Sequence, residues 1–386
     1  MTMQVSRNCG FDCKACRFFQ LCGGCSNFEC LVRRCVVEGV KVEGVTHPSS
    51  LCIYQLICPI GATKSKLRGI LSPLFSREET AIPDVSSADK ARHISEKAIE
   101  LGSFVPVVSL CDERSWFWKH SYTKIKVPAI VVRLEELIHD RDLQRTVRKV
   151  GVHEFLNFDG SVVLSSVMPD ELTEGLSAEE YANIIEETGV DGAFTLDRFV
   201  YFDDPLVLSW KQVLRMVADL MTLTSKVKCQ VFAIAKGANI RQLGWLLESV
   251  SELGIKHVVY PVRELRHAPA KKRLFFENIF KATSKSGAKL LVYGSLFPDF
   301  FMMPYLEKVS FSSLAWFLRA LRGEAVLDRM RREVIVKNAG FKCRCPVCRG
   351  KNSSELLENL EILAAHNLYF TLRFYKGCRS WASGTE

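Results

Sequence analysis

Short apolar segments alternate with longer helical segments along most of this chain, and this alternation constrains the fold more than any other feature. Helices are predicted at 206–223 and 240–253. Strands that are separated by helices pair in parallel within one sheet. The predicted strands are 104–110, 127–132, 162–164, 192–196, 229–235, 257–262, 289–293 and 308–311. The sequence therefore predicts an α/β fold that is built on a parallel sheet.

Four potential metal ligands lie downstream of the predicted strands. They are Cys343, Cys345 and Cys348, in the spacing Cys-x-Cys-x2-Cys, and His366, eighteen residues beyond Cys348. Three thiolates and one imidazole favour zinc. The segment 356–363 is rich in leucine and predicts the helix that carries the histidine. Four protein ligands leave no open position, so the pattern indicates structural zinc; the alternative is three free cysteines and a core histidine.

The first 62 residues form a separate cysteine-rich segment. It holds nine of the fifteen cysteines and is too short to bury a core, so a metal is expected to stabilise it. The candidate ligands Cys13, Cys16, Cys22 and Cys25 are more closely spaced than the halves of a zinc ribbon, which favours an iron-sulfur cluster over structural zinc. The spacing Cys9-x3-Cys13-x2-Cys16 is also that of radical S-adenosylmethionine enzymes, but no predicted strand precedes it. Residues 63–102 are predicted to be a linker followed by a helix at 88–101.

Basic residues are concentrated around the predicted zinc site. The formal net charge of the chain is +9. Clustered Arg and Lys contact phosphates and give an affinity that depends on salt, whereas the alternative is a solvated basic helix without a partner. The predicted partner is tRNA or DNA, and the candidate contacts are Arg319, Arg322, Arg331 and Arg332.

Length and composition define the class of protein. A chain of 386 residues can hold one barrel of about 250 residues and an added module. It contains no run of eighteen apolar residues and no basic-then-apolar leader, so we expect a cytoplasmic protein without a membrane span. Cysteines in such a protein indicate metal ligands rather than disulfides.

Residues 103–386 resemble the tRNA-guanine transglycosylase superfamily, including its archaeal and DNA-modifying members. Only the zinc ligands are specific by themselves, and the order of the motifs adds weight to them. The matching motifs are the zinc ligands with His366-Asn367-Leu368, the run 176–191 that leads to Leu196-Asp197, Gly294-Ser295 with Pro298, and the segment 309–316.

The resemblance implies a (β/α)8 TIM-type barrel with a C-terminal zinc site. Its implied activity exchanges guanine in nucleic acid for a 7-deazaguanine, with one aspartate as the nucleophile and another as the general acid/base. Ser312 and Ser165 occupy these two positions here. A serine needs a base to become a nucleophile, so the substitutions predict that the usual reaction is lost.

Two further positions are implied to bind the base. Asp197 matches the family's aspartate that accepts hydrogen bonds from the edge of guanine, although a solvated aspartate at a strand end is the simpler alternative. Lys236 stands where the family has glutamine, which predicts a more basic pocket.

These observations leave three hypotheses for the function. The first is a non-catalytic or divergent transglycosylase-like subunit that binds nucleic acid and pairs with an active transglycosylase or with itself. The second is an iron-sulfur-dependent enzyme that modifies a nucleic-acid base on the same barrel. The third is a barrel that binds a protein or a small molecule, because a fold does not determine a function.

Overall fold

The computed structural model describes residues 99–120, 125–200, 206–265, 268–326, 333–335 and 342–382. The predicted N-terminal metal module, with Cys13, Cys16, Cys22 and Cys25, lies outside the described residues. Arg331 and Arg332 also lie outside them. Only the last residues of the helix predicted at 88–101 are described, and residues 99–101 are not helical.

Eight parallel strands form one sheet, in the order β1-β8-β7-β6-β5-β4-β3-β2. Strands β1 and β8 pair along their length, and β1 approaches β2 where the Val108 amide donates to the Val131 carbonyl at 2.9 Å. The sheet is therefore a nearly closed barrel, and the predicted (β/α)8 TIM barrel is confirmed. The strands are β1 Phe104–Pro106, β2 Ala129–Arg133, β3 Ser161–Ser165, β4 Gly192–Phe194, β5 Gln230–Ile234, β6 His257–Pro261, β7 Lys289–Tyr293 and β8 Val309–Ser313.

Helices alternate with these strands along the chain. The helix boundaries coincide with local stop and start signals. Helix α5, for example, begins with a capping box between Ser177 and Glu180 and ends at Gly189, whose φ is 67°. The helices are α1 Leu134–His139, α2 Arg141–Val150, α3 Val152–Leu156, α4 Asp170–Glu174, α5 Ala178–Thr188, α6 Leu206–Lys226, α7 Ile240–Glu252, α8 Pro269–Ser286, α9 Ala315–Leu321, α10 Ser353–Glu358 and α11 Leu360–Ala382.

The barrel strands are rich in β-branched residues and are almost completely buried, as expected for parallel strands that are covered on both faces. Gly192 opens β4 at a crowded point of this core. A Cβ atom there would lie 2.8 Å from the side chains of Ile99 and Phe232. Any larger residue would displace one of them, so glycine is required by packing at this position.

The chain divides into two compact units. One contains the described parts of Arg198–Met221 and Ala235–Gly254, which hold helix α7 and most of α6. The other contains all eight barrel strands and the region after them. Among the described residues, no helix combines the length and the apolar character that a membrane span requires.

The region after the barrel consists of α9, a small antiparallel pair and two helices. Strands β9 Glu324–Val326 and β10 Glu333–Ile335 pair antiparallel. The helix predicted at 356–363 to carry the histidine is present but begins later than predicted, because α10 ends before Asn359 and α11 begins at Leu360. His366 therefore lies in the second turn of a separate 23-residue helix.

Candidate metal centre and strand-end cluster

The four predicted metal ligands come together in a buried group. Nδ1 of His366 lies 3.6, 3.5 and 3.2 Å from the sulfurs of Cys343, Cys345 and Cys348. All four ligand atoms lie within 4.8 Å of one another, and the four residues are buried. Soft ligands at this mutual distance can bind a metal ion such as zinc.

A tight turn places the three sulfurs on one side of the backbone. The amides of Arg349 and Gly350 donate to the carbonyls of Cys345 and Cys343, both at 2.9 Å. Gly350 has φ 86° and Arg349 has φ 50°, so the backbone turns back through the left-handed region. The amides of Cys345 and Cys348 point at the sulfurs of Cys343 and Cys345, at 3.4 and 3.3 Å, and such donors stabilise thiolates.

The histidine is oriented by its second ring nitrogen. Nε2 of His366 lies 2.8 Å from the carbonyl oxygen of Val326, at the end of β9. A proton on Nε2 leaves the lone pair of Nδ1 for a metal ion, which is the usual arrangement behind a ligating histidine. Strand β9 thus fixes the tautomer of a ligand on α11.

Asn367 connects the same helix to two other elements. Its Oδ1 accepts from the Val326 amide at 2.7 Å, and its Nδ2 donates to the carbonyls of Trp316 and Glu324 at 3.1 and 3.0 Å. The side chain is completely buried. A single amide therefore joins α11, β9 and α9 directly beside the metal ligands.

Protons compete for these ligands when no metal is bound. Burial alone lowers the pKa of His366, but the sulfurs of Cys343 and Cys345 raise it, to about 9. Hydrogen bonds from Cys343 and Cys348 lower the pKa of Cys345. Metal binding must therefore release protons, and the affinity must fall at low pH.

A second group of polar side chains lies at the carboxyl ends of the barrel strands. It consists of Arg133, Ser165, Asp197, Tyr293 and Ser312, and we call it the strand-end cluster. Arg133 is the register partner of Ser165, and Tyr293 is the register partner of Ser312. The carboxyl ends of parallel strands form the usual binding face of such barrels.

The cluster is buried and contains both charges and hydroxyls. Ser165 and Ser312 are completely inaccessible, and Asp197 is 2 % exposed. The Oγ atom of Ser312 is one of the few buried side-chain polar atoms, within the described ranges, that has no hydrogen-bond partner. A ligand that bonded to this buried hydroxyl would not have to replace an existing hydrogen bond within the protein.

Tyr293 ends β7 and is 9 % exposed. Burial raises the pKa of its phenol, Ser165 and Arg133 lower it, and Asp197 and Glu135 raise it. Burial is the largest of these influences. The tyrosine therefore stays protonated at neutral pH and can both donate and accept a hydrogen bond.

Arg133 is held by carboxylates on α1, the helix that follows it. Its guanidinium bonds to Glu135 Oε2 at 3.1 Å and to Glu136 Oε1. The other oxygen of Glu136 accepts from the Leu110 amide at 2.5 Å. The two glutamates near the cluster are thus already engaged in structural bonds.

Three further predicted contact residues each contact another group of the protein. Nζ of Lys236, which is 7 % exposed, donates to the carbonyl of Arg198 at 3.4 Å. Arg319 is half-buried, and its guanidinium lies 6.0 Å from the ring centroid of Phe297. Arg322 forms two bonds with Glu324, at 2.9 and 3.2 Å, so its charge is partly neutralised.

Sequence reasoning missed Arg133 and Tyr293. Both are the last residues of strands, and Tyr293 was counted only as part of an apolar run. Polar residues at the carboxyl ends of predicted parallel strands were the signal that could have identified them.

The described residues thus define a parallel β/α barrel with a buried Cys3His centre that can bind a metal ion such as zinc. No protein-family model matches the chain, and no curated protein matches it either. The resemblance to transglycosylases therefore stays a prediction.

Proposed function

We propose that this chain is a zinc-containing, transglycosylase-like barrel that binds tRNA or DNA and holds a base at the strand-end cluster without catalysing the usual base exchange. The observation that carries the proposal is the cluster itself. Its members present a carboxylate, a phenol and two hydroxyls at the carboxyl ends of β3, β4, β7 and β8.

The hydrogen-bonding character of the cluster supports a planar heterocyclic ligand. A carboxylate such as Asp197 accepts from ring N-H groups, and a tyrosine hydroxyl serves either a carbonyl or a ring nitrogen. The orphaned Oγ of Ser312 adds a further donor and acceptor. Nucleobases carry donors and acceptors along one edge, so their chemistry matches that of the cluster.

The same cluster argues against the two-carboxylate reaction. Serines occupy the strand-end positions where the resemblance expects the nucleophile and the acid/base, and both are completely buried. Glu135 and Glu136 are held by Arg133, and Glu136 also by a backbone amide. Neither glutamate is placed to substitute for the missing carboxylates while these bonds persist. A divergent subunit that pairs with an active transglycosylase, or with itself, fits this arrangement.

We propose zinc as the metal of the Cys3His centre, because three thiolates and one imidazole are its preferred structural ligands. Its role would be to hold α11 against β9 and α9 through His366 and Asn367. An iron-sulfur cluster remains a prediction for Cys13, Cys16, Cys22 and Cys25. Iron, acid-labile sulfide and zinc contents of anaerobically purified protein would decide both assignments.

The nucleic-acid assignment is tested by equilibrium binding of the full chain to tRNA and to duplex DNA at several salt concentrations. We expect the logarithm of the binding constant to fall linearly with the logarithm of the salt concentration, because bound cations release counterions. Binding that is absent, or independent of salt, would contradict the proposal.

The base-binding role needs a separate measurement. Asp197→Asn should weaken binding of the preferred nucleic acid without changing the salt slope, because it alters a base contact and no phosphate contact. Asp142→Asn, at an exposed site on α2, is the matched control. Exchange of labelled guanine into the bound nucleic acid by the wild-type chain alone would show that the reaction persists, and would overturn the non-catalytic part.

A further inference from the structure

A phenyl ring projects into solvent from the connection between β7 and β8. Phe300 begins the 3-10 turn Phe300–Tyr305 and is 93 % exposed. The next aromatic residues of this turn are packed inward, because Phe301 and Tyr305 lie 5.8 and 5.5 Å from the ring of Phe276 on α8. Phe301 and Tyr305 thus hold the turn against α8, whereas the ring of Phe300 remains in solvent.

An ion pair connects the residue before this ring to a basic segment of α8. Asp299, directly before it, pairs with Lys272 at 2.5 Å, which places the ring beside the first turn of α8. Lys271 and Arg273 are exposed on the same turn. We call Phe300, Lys271, Lys272 and Arg273 the Phe300 patch.

Basic residues are numerous in and beside the patch. Asp299 pairs with Lys272, and Glu277 pairs with Arg273 at 2.8 Å. Lys271 and Arg263 are further exposed basic residues. The Cβ of Arg263 would be 3.5 Å from a Cβ built on Gly294, the residue that begins the β7–β8 connection.

The patch lies on the same face of the barrel as the strand-end cluster. The hydroxyl of Tyr260, near the end of β6, donates to the Lys272 carbonyl at 2.9 Å. The amide of Gly294 donates to the carbonyl of Ser312, near the end of β8, at 2.8 Å. A nucleic-acid strand that placed a base in the strand-end cluster would therefore pass over this face of the barrel.

We infer that Phe300 is a stacking platform for an unpaired nucleotide of single-stranded nucleic acid, with Lys271 and its neighbours contacting the phosphates. This inference rests on the proposed function and names a surface for it. Aromatic rings among cations are the usual way in which proteins bind single strands. A protein partner fits less well, because the centres of protein interfaces are depleted of charge, whereas the residues next to this ring include Asp299 and its partner Lys272.

The experiment measures fluorescence anisotropy of labelled U12, dT12 and a 12-base-pair duplex with the full chain at one fixed salt concentration. Phe300→Ala should weaken single-strand binding about tenfold, Phe300→Trp should retain it, and Phe300→Leu should behave like Phe300→Ala, because only a ring can stack on a base. Lys271→Ala should reduce the salt slope by about 1. Val150→Ala, at a 37 % exposed site on α2, is the control and should bind as the wild type does.

The outcomes separate this inference from the proposed function. Equal affinity of the wild type and Phe300→Ala for both single strands would overturn the platform while salt-dependent tRNA binding still supported the proposed function. Retained affinity in Phe300→Leu would also overturn it, because stacking would then be unnecessary. If the wild type bound no oligonucleotide, the inference that Phe300 is a stacking platform would be wrong. The proposed function would then be tested separately, by the binding of tRNA.

Two further results are informative. Single-strand binding that depends on Phe300, without any binding of tRNA or duplex DNA, would support the platform and contradict the proposed function. A change of sedimentation coefficient in Phe300→Ala with unchanged oligonucleotide binding would identify the patch as a protein contact and overturn the inference. The difference between U12 and dT12 shows whether RNA or DNA is preferred.

Discussion

Replacing Asn367 with alanine should destabilise the chain more than the size of the side chain suggests. The substitution removes three hydrogen bonds, to the Val326 amide and to the carbonyls of Trp316 and Glu324, from a completely buried site. Each such bond contributes about 1 kcal/mol, and each buried group that is left without a partner costs about 1–3 kcal/mol. With partial relaxation and water entry, we expect a loss of about 3–5 kcal/mol in the free energy of unfolding.

Urea denaturation of the metal-loaded protein, followed by circular dichroism and tryptophan fluorescence, measures this loss. Metal content is determined on the same samples, because His366 adjoins the substituted residue and metal release would add its own effect. Asn278→Ala is the control: its Nδ2 donates to the Leu274 carbonyl at 2.8 Å at a solvent-exposed site, so we expect a change below about 1 kcal/mol. If Asn367→Ala lowered the free energy of unfolding by less than about 1 kcal/mol while metal was retained, the inference that Asn367 links α11, β9 and α9 would be refuted.

Three other substitutions test separate parts of the structure. Cys345→Ser should release any metal bound at the Cys3His centre and destabilise α11 while leaving any N-terminal metal in place, whereas Cys111→Ser, at an exposed cysteine, should release none; metal analysis of the purified variants measures this, and simultaneous loss of both metals would argue against independent sites. The bond at 3.0 Å between Nε2 of His153 and the carboxylate of Asp191 raises the pKa of the histidine above 6.5. The stabilisation by this bond is therefore complete below pH 6.5 and is lost as the pH rises through the raised pKa. In urea titrations, His153→Gln should lower the free energy of unfolding by up to about 1 kcal/mol at pH 5.5 and by progressively less at higher pH. A loss of stability that does not depend on pH would contradict a bond to a charged histidine. Asp219→Ala should cost about 3–5 kcal/mol, because it removes the carboxylate whose Oδ2 lies 2.7 Å from Nε of the buried Arg198 guanidinium; the double variant with Arg198→Leu should be less destabilised, and a double variant that is less stable than the single one would show that the cost is one of packing alone.

The barrel was predictable because its signal is local and repeated. The predicted run 289–293 coincides with β7, and the other strands lie within or near their predicted runs. The metal ligands were also predictable, since three of them lie on one turn and the chemistry of thiolates is specific. The end of a strand is less predictable: β1 was expected to continue to residue 110 but ends at Pro106, although the apolar sequence continues.

Groupings that depend on distant parts of the chain were not predictable. Polar residues at the ends of predicted strands mark Arg133 and Tyr293 as candidates, but the sequence does not show that they group with Asp197, because the order of β2, β4 and β7 is set by the whole sheet. The break at Asn359 was missed for a different reason. The residues around it are good helix formers, and a capping box at Asn352 starts a short helix before the chain turns into α11.

The contacts of α11 have a consequence for the order in which the chain can fold during synthesis. The rings of Phe104 on β1 and Phe311 on β8 pack on Tyr375 of this helix, and Trp316 bonds to the carbonyl of Val107 across 209 positions of sequence. One edge of β1 therefore stays unpaired until the ribosome has synthesised β8 and α11, the helix that packs on both strands. Such a delay exposes a strand edge to aggregation, and a metal ion bound early at the Cys3His centre would shorten it by fixing α11 in place.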